Sequence, residues 1–323
     1  MRGAGPLLSV EDLSLEFRAR DGTVRVLDGV GFTVGWGETV GLVGESGSGK
    51  TISALAIMGV LPPTARVTAG RALFKGTDLL AADESTLRRF RGSEISMTFQ
   101  LARAALNPIR PVGRQIEDVI RHHTDLHSGA ARSRTLDLLA RVQIPDPGRV
   151  YGAFPFELSG GMCQRVMIAM AVACSPSLLI ADEPATGLDV CTQAAVLELI
   201  GDLARQNNMA TLLISHDLGL LGERADRVVV MHAGHVVETA PTAALLAAPR
   251  HPYTAKLIAS SPRPSVGLAD LVTIPGTIPD FRAQLPPCRF RFRCDRAAPE
   301  CDQPPLPRVA VGPDHVVACR RPL

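Results

Sequence analysis

The 323-residue sequence lacks any continuous apolar segment of the length that crosses a membrane, and its first residues contain no apolar signal core. The nearest candidate, Val166 to Ala181, is interrupted by polar residues and a proline at 175–177, so it predicts a buried helix followed by a buried strand. The net charge of only +2 gives no indication of bulk nucleic-acid binding or of an acidic substrate. We therefore expect a cytosolic protein that contacts membranes only through partners.

The sequence also lacks internal repeats and heptads, so nothing in it indicates a repeat protein or a long coiled coil. Hydrophobic residues make up 46% of the chain, enough for the core of one large domain plus a small one. Beyond about Pro241 the composition shifts to proline and arginine, which predicts a separate irregular appendage.

Apolar patterning predicts strands at both ends of a helical segment. The N-terminal residues alternate as in antiparallel strands, which we predict at 7–10, 13–17 and, after a turn at Asp21-Gly22, 24–27. Short apolar runs typical of buried parallel strands occur at 178–181, 211–214 and 228–231. We predict that the last of these turns at Ala233-Gly234 and pairs with 236–238. Between about Ile116 and Val142 the period is helical, and Pro145 and Pro147 are predicted to stop the helix.

A glycine-rich run lies between a strand-like segment, Thr39 to Val43, and a helix-like segment, Ile52 to Met58. The run GESGSGKT comprises Gly44, Glu45, Ser46, Gly47, Ser48, Gly49, Lys50 and Thr51. Strand, glycine loop and helix are the context of a loop whose backbone N–H groups surround nucleotide phosphates. The lysine and the helix N-terminus add positive charge, and the threonine hydroxyl is a ligand for Mg²⁺. The run therefore predicts an ATP-type phosphate loop.

A second apolar segment, at 178–181, ends in two carboxylates, Asp182 and Glu183. The first is predicted to hold the Mg²⁺ of a nucleotide bound at the phosphate loop. The second is predicted to polarise an attacking water as a general base. About twenty residues upstream, Ser159 is a natural N-cap for a helix that begins with Gly160 and Gly161, which predicts a second phosphate-binding helix N-terminus.

The run LSGGMCQR, the phosphate loop, the Asp-Glu strand and His216 together resemble the ATP-binding subunits of ABC transporters. The resemblance covers roughly residues 1–240 and implies an α/β P-loop fold of ABC type. Its parts are a mixed sheet core, an antiparallel β lobe and a helical subdomain at about 101–170. Residues 241–323 would form a small, irregular C-terminal extension that contains cysteines.

The resemblance also implies roles for individual residues. Two such subunits pack head to tail, so Ser159, Gly160 and Gly161 would act on the nucleotide of a partner. Gln100 matches the glutamine that contacts Mg²⁺ and water, and Asp189 matches a loop that contacts the opposite site across the dimer. His216 matches the histidine that binds the γ-phosphate. With Glu183, Gln100 and His216 form the predicted catalytic set.

The resemblance narrows to importers of oligopeptides, dipeptides and nickel through HPYT at 251–254, IPDP at 144–147 and the spaced tail cysteines. It implies two membrane permeases, a related second ATPase, an extracytoplasmic solute-binding protein and a position at the cytoplasmic membrane face. The chain departs from that pattern at Leu101-Ala102, where Asp-Pro is usual, and at Cys163, where arginine is usual.

Seven cysteines are present, and the tail holds a group of four, namely Cys288, Cys294, Cys301 and Cys319. In a reducing compartment such a group indicates a metal site rather than disulfides. The spacing is too wide for a zinc knuckle, and the importer resemblance implies a [4Fe-4S] cluster, with zinc and free thiols or disulfides as alternatives. The neighbouring Arg289, Arg291, Arg293 and Arg296 are expected to lower the pKa values of the thiols.

Two other functions are consistent with parts of the sequence. A soluble ABC ATPase that acts on nucleic acid or ribosomes would use the same motifs, although such proteins carry paired cassettes, a coiled coil or a basic arm. A redox-controlled ATPase would use the tail cysteines as its sensor. We predict an ATP-hydrolysing importer subunit that does not bind nucleic acid.

Overall fold

The structure of the chain, a computed structural model, describes residues 5–19, 22–261 and 273–323. It contains two compact units, of which the first combines Met1–Ala82 with Leu213–Leu323 and the second is Asp83–Leu212. The strands are β1 (Leu8–Ala19), β2 (Gly22–Val34), β3 (Thr39–Val43), β4 (Ala65–Phe74), β5 (Thr77–Asp78), β6 (Ile95–Thr98), β7 (Leu178–Asp182), β8 (Ala210–Ser215), β9 (Arg227–His232), β10 (His235–Pro241), β11 (Val309–Gly312) and β12 (His315–Val317). The helices are α1 (Lys50–Met58), α2 (Glu84–Phe90), α3 (Ala102–Ala105), α4 (Val112–His123), α5 (Ser128–Arg141), α6 (Pro147–Tyr151), α7 (Gly160–Ala171), α8 (Val190–Asn207), α9 (Leu218–Gly222), α10 (Thr242–Ala247) and α11 (Pro252–Ser260).

The first unit contains an antiparallel sheet in the order β2-β1-β4-β5. The two strand segments predicted before residue 18 form one strand, β1, because a register shift between Val10 and Leu13 lets the chain continue past Asp12. Asp12 has a φ of 49°, which is typical of such an irregularity. The strands are confirmed, whereas Asp21 of the predicted turn lies outside the described residues.

A second sheet provides the framework for the phosphate loop. Its order in the first unit is β11-β12-β10-β9-β3-β8, and in the second unit it is β8-β7-β6, since β8 belongs to both. β3 and β9 pair in parallel, as do β6 and β7. All five residues of β7 are buried, as expected for a strand covered on both faces. The three predicted strands are confirmed as β7, β8 and β9, of which β7 and β9 each have a parallel neighbour, and the β9–β10 hairpin is confirmed as well.

The second unit contains the helices predicted between about 116 and 142, here α4 and α5. The helical segment ends before Pro145 and Pro147, as predicted, since α5 ends at Arg141, but the sequence did not predict that Pro147 is the first residue of another helix, α6. Proline is favoured at that position, where its missing N–H would have no helical partner. Asp146 caps α6, with its side chain accepting a hydrogen bond from the N–H of Arg149.

The C-terminal extension is less separate than its composition suggests. β12 pairs with β10, so the tail adds two strands to the edge of the large sheet. Glu238 of β10 is buried and accepts a hydrogen bond of 2.7 Å from Nε2 of His315. The prediction that the appendage is separate is therefore wrong, because backbone pairing and a buried polar contact join the tail to the rest of the first unit.

Candidate functional site

The phosphate loop follows β3 directly and leads into α1, as predicted. Gly49 has a φ of 105°, and a Cβ there would lie 2.5 Å from Cδ2 of Leu27. Gly44 has a φ of 158°, and a Cβ there would clash with the carbonyl oxygen of Met231. Glycine is therefore required at both positions by backbone geometry and by close packing.

The side chain of Lys50 folds back onto the first residues of the phosphate loop. Its Nζ donates to the carbonyl oxygen of Gly44 at 2.7 Å and to that of Glu45 at 3.0 Å, and the side chain is largely buried. The hydroxyl of Ser48 is buried and has no hydrogen-bond partner among the described residues. The positive charge therefore lies against the curled backbone, where it is suited to a bound anion.

The N-terminus of α1 is open to an anion. Its N-cap is a glycine without a side-chain cap, and its first turn contains no acidic residue. The first N–H groups of a helix have no partner within the helix and carry a partial positive charge. Thr51 in this turn is exposed. The helix end, the lysine and the glycines together have the geometry and charge that suit a phosphate.

The loop also contacts the C-terminal extension, which the sequence analysis did not predict. The N–H of Glu45 donates to Oη of Tyr253 at 2.9 Å. Its carboxylate accepts two hydrogen bonds of 2.8 Å from Arg293. No sequence signal marks these contacts, because 208 and 248 residues separate the partners.

In the second unit, β7 ends at Asp182, which is buried, and Glu183 follows with partial exposure. Nε2 of Gln100 donates to Oε2 of Glu183 at 3.0 Å, and the hydroxyl of Thr186 donates to the same oxygen at 2.8 Å. Gln100 follows β6, which pairs in parallel with β7, so the two strand ends bring the amide and the carboxylate together. Their pairing is suited to holding a water against the carboxylate.

Ser159 is the N-cap of α7, as predicted. Its Oγ accepts a hydrogen bond of 3.2 Å from the N–H of Met162, and Gly160 and Gly161 begin the helix without an acidic residue in the first turn. A Cβ at Gly161 would lie 2.9 Å from Cγ2 of Thr192. Cys163 is buried in this helix, and its thiol donates to the carbonyl oxygen of Pro155.

Asp189 and His216 are both exposed. Asp189 caps α8, accepting hydrogen bonds from the N–H of Thr192 at 3.0 Å and from its hydroxyl at 2.6 Å. These bonds lower the pKa of Asp189 below its usual value. His216 directly follows β8 and lies in the first unit with the phosphate loop, whereas Asp189 lies in the second.

The four tail cysteines are unpaired thiols, of which Cys294 is partly exposed and the others are buried. Burial raises the pKa of Cys288 to about 12, with the nearby thiols of Cys301, Cys319 and Cys294 contributing. Burial likewise raises the pKa of Cys294 and of Cys319. The expectation that arginines lower these pKa values is therefore wrong, because desolvation dominates.

Three of the four arginines named in the sequence analysis pair with carboxylates instead. Arg289 binds Asp28 at 2.9 Å, Arg291 binds Asp302, and Arg293 binds Glu45. No group of three or more His, Cys, Asp or Glu side chains within residues 5–19, 22–261 and 273–323 has an arrangement that could hold a metal ion. The N–H of Cys288 donates to the carbonyl oxygen of Cys301 at 3.4 Å, so the backbones of these two cysteines lie close together.

In the part of the chain that the structure describes, no helix combines the length and the apolar character needed to cross a bilayer.

The fold matches that of solved ABC ATPase cassettes. The ATP-binding cassette MJ0796, in a dimeric post-hydrolysis state bound to ADP and Pi, superimposes with a TM-score of 0.66 at 23% identity, covering 73% of this chain and 98% of that chain. CbiO1 from Clostridium perfringens, part of the ABC transporter complex cbiONQ, gives a TM-score of 0.63 at 24% identity, with 75% and 91% covered. These similarities show the fold and confirm the predicted ABC-type P-loop class.

Family comparisons agree with the fold. The ABC transporter family model matches residues 27–186, and that of the oligopeptide/dipeptide transporter C-terminal region matches residues 237–301. The chain is 44% identical over 308 residues to the dipeptide transport ATP-binding protein DppD of Escherichia coli (strain K12), covering 95% of this chain and 94% of that protein. It is 43% identical over 314 residues to DppD of Bacillus subtilis (strain 168), with 97% and 94% covered. The chain therefore belongs to the ABC transporter family, in the group that carries this C-terminal region, which confirms the resemblance inferred from its motifs.

Proposed function

We propose that this chain is the ATP-hydrolysing subunit of an importer for peptides or a related small solute. The observation that carries the proposal is the presence, in one chain, of an ABC ATPase cassette and the oligopeptide/dipeptide transporter C-terminal region. Relatives at 43–44% identity over almost the whole chain are dipeptide transport ATP-binding proteins. ATP hydrolysis at the cassette would drive solute uptake through separate permeases.

In this proposal the residues divide the work of phosphoryl transfer. The backbone of the phosphate loop and Lys50 bind the phosphates and offset their charge as it redistributes in the transition state. Glu183 accepts a proton from the attacking water, which Gln100 helps to orient through the hydrogen bond that the two side chains share. His216 donates a hydrogen bond to the γ-phosphate.

Mg²⁺ fits the residues proposed for it by donor chemistry. A threonine hydroxyl, a carboxylate and an amide oxygen are hard donors, which Mg²⁺ prefers, and Thr51, Asp182 and Gln100 supply them. When bound, the ion would neutralise phosphate charge. Thr51 is exposed and follows Lys50 at the start of α1.

The proposal includes the assembly around the ATPase. Two cassettes would pack head to tail, with Ser159, Gly160 and Gly161 of one acting on the nucleotide of the other and Asp189 contacting the opposite site. The second cassette would be a related, different chain, and two permeases would hold the pair at the cytoplasmic face of the membrane. An extracytoplasmic binding protein would deliver the solute.

Co-purification tests this assembly. The chain carries an N-terminal tag, is extracted with mild detergent, and its bound proteins are identified by mass spectrometry. Recovery of two multi-span permeases and a second ATPase is expected. Recovery of ribosomal or DNA-bound proteins instead would overturn the importer in favour of a soluble ATPase acting on nucleic acid or ribosomes.

We propose further that Cys288, Cys294, Cys301 and Cys319 hold a [4Fe-4S] cluster, with zinc as the alternative. Four thiolates suit both metals, and the support for the proposal is the importer resemblance of the tail with its four spaced cysteines. Because the four side chains are not arranged as a metal site in the described residues, a bound metal would have to draw them together. Iron and zinc analysis of anaerobically purified protein, together with its visible spectrum, tests this. Metal-free protein with four titratable tail thiols would refute it.

A further inference from the structure

The phosphate loop is attached to the C-terminal extension by a partly buried ion pair. Both Nη atoms of Arg293 donate to the carboxylate of Glu45 at 2.8 Å, one to each oxygen. The arginine side chain is only 4% exposed and that of the glutamate 28%. A bidentate pair of this kind fixes orientation as well as charge.

Arg293 is itself held in place before it reaches the loop. Its Nε donates to the carbonyl oxygen of Pro275 at 2.7 Å, and its Nη1 lies 3.2 Å from Nε2 of His232. The guanidinium also lies 5.8 Å from the ring centroid of Phe290. Because these contacts come from outside the loop, the arginine is a fixed support rather than a flexible surface side chain.

Glu45 is bound at every polar group that it has. Its carboxylate binds Arg293, its N–H donates to Tyr253 of α11, and its carbonyl oxygen accepts from Lys50. The extension supplies two of these three contacts. Ile278 of the extension also lies beside the loop, with its Cδ1 3.8 Å from where a Cβ of Gly47 would stand.

The ion pair between Arg293 and Glu45 affects nucleotide binding through the charge of the glutamate. Glu45 places a negative charge within a loop that has to accept phosphate, and an unpaired carboxylate would repel that anion. Arg293 offsets the charge of the Glu45 carboxylate, while the Nζ of Lys50 donates to the carbonyl oxygens of Gly44 and Glu45 in the same loop.

We propose that Arg293 is a positioning residue for the phosphate loop, through which the C-terminal extension sets the affinity of the site for nucleotide. The inference rests on the proposed ATPase function and assigns a control of that site to the extension. Arg293 acts through Glu45 and does not itself contact the substrate.

The test measures the dissociation constant of MgATP by fluorescent-nucleotide competition, and KM and kcat by phosphate release, on the full-length chain. Arg293→Gln is expected to raise the dissociation constant and KM about tenfold while kcat changes little, because the loop is misplaced but the chemistry is intact. Adding Glu45→Gln to this variant removes the unpaired charge and is expected to return the dissociation constant to within about threefold of the parent value.

Two further variants separate positioning from folding. Arg289→Gln is the matched control, since Arg289 is also a buried arginine of the extension but binds Asp28 and the carbonyl oxygen of Ala233. It is expected to lower the melting temperature without weakening nucleotide binding. Tyr253→Phe keeps the ring and removes only the acceptor of the Glu45 N–H, so it is expected to weaken binding in a folded protein.

Unchanged nucleotide affinity in both Arg293→Gln and Tyr253→Phe would overturn the inference, as would an equal loss of affinity in Arg289→Gln. A failure of the proposed function is distinguishable, because the unmodified chain would then bind no MgATP at all. Partial recovery in Arg293→Lys, which keeps the charge but not the bidentate geometry, would support the positioning role.

Discussion

Glu183 has a left-handed backbone conformation, and its carboxylate accepts hydrogen bonds from two neighbouring side chains. Its φ of 44° lies in the left-handed region, which is costly for a residue with a Cβ and persists only where its surroundings hold it. Gln100 and Thr186 both donate to its Oε2, so the carboxylate is anchored by one oxygen. The proposed general base is therefore positioned before any substrate binds.

We predict that Glu183→Gln preserves nucleotide binding and lowers turnover by about 10²- to 10⁴-fold, because an amide oxygen still accepts both hydrogen bonds but cannot take a proton. Phosphate release and nucleotide titration measure the two quantities. Glu198→Gln, on the exposed face of α8, is the control and should leave both unchanged. Turnover at the parent rate in Glu183→Gln would remove its catalytic role.

Two buried histidines of the first unit link stability to pH. Burial lowers the pKa of His251 from 6.5 to about 3, and burial with Arg293 nearby lowers that of His232 equally to about 3. As the pH falls, the imidazoles bind protons in the unfolded chain before they do so in the folded chain. The contribution of the two neutral histidines to the free energy of unfolding is therefore fully present above about pH 6.5 and declines as the pH falls toward about 3. The neutral His251 accepts a hydrogen bond from the N–H of Tyr253 at 3.0 Å.

We predict that the melting temperature falls between about pH 6.5 and pH 5, and that the fall is smaller in His251→Asn. Asparagine can still cap α11 but does not titrate. Scanning calorimetry across this range measures the slope. The control is His122→Asn, since His122 is exposed on α4, and this variant should have the same slope of melting temperature against pH as the parent protein. If His251→Asn also had the parent slope, groups other than His251 would determine the pH dependence.

At the scale of elements, α7 shows how one cap can serve structure and function. The Oγ of Ser159 satisfies the Met162 N–H, which stabilises the helix start, while Gly160 and Gly161 leave the first turn without side chains. The sequence predicted this helix start because serine followed by two glycines precedes an apolar run. Its proposed action on a partner's nucleotide depends on a second subunit.

Two substitutions at Ser159 separate these roles. Ser159→Ala is expected to reduce the free energy of unfolding by about 1 kcal/mol through loss of the cap. Ser159→Asp keeps the cap and its stability but adds a negative charge that repels phosphate, so it should lower turnover of the assembled ATPase. Urea unfolding and phosphate release measure the two effects. Full activity of Ser159→Asp in the assembly would contradict a role beside phosphate.

At the scale of the whole molecule, the tail stabilises the first unit from the edge of its sheet. Glu238 accepts hydrogen bonds from the N–H groups of Arg250 and His251 and from Nε2 of His315. One buried carboxylate thus joins β10, β12 and the start of α11. Removing any donor leaves part of that charge unsatisfied in a region that water does not reach.

We predict that His315→Leu lowers the free energy of unfolding by about 1–3 kcal/mol, because Glu238 loses a buried hydrogen-bond donor. Val316→Thr, at the exposed neighbouring position of β12, should change it by less than about 0.5 kcal/mol. Equilibrium denaturation of both variants provides the comparison. Equal stability of His315→Leu and the parent would show that Arg250 and His251 suffice for Glu238.

Local sequence was enough for elements whose signals lie within a few residues. The strand–loop–helix at 39–58 and the β9–β10 turn at Ala233-Gly234 were predicted because glycine conformation and apolar periodicity are local properties. The start of α6 at Pro147 was missed because proline is favoured both after the end of a helix and at its first residue. The thiol pKa values were predicted in the wrong direction because burial does not follow from neighbouring charge.

The sequence by itself determined the class of this protein, since the phosphate loop, the Asp-Glu strand and LSGGM each require a short run of residues in fixed order. Only the tertiary structure decided what the C-terminal extension contacts. Arg293 and Glu45 lie 248 positions apart, and the addition of β12 to the large sheet depends on backbone pairing that no local pattern encodes. Long-range pairing arises when distant segments exclude water together, so it becomes visible only after the chain has folded.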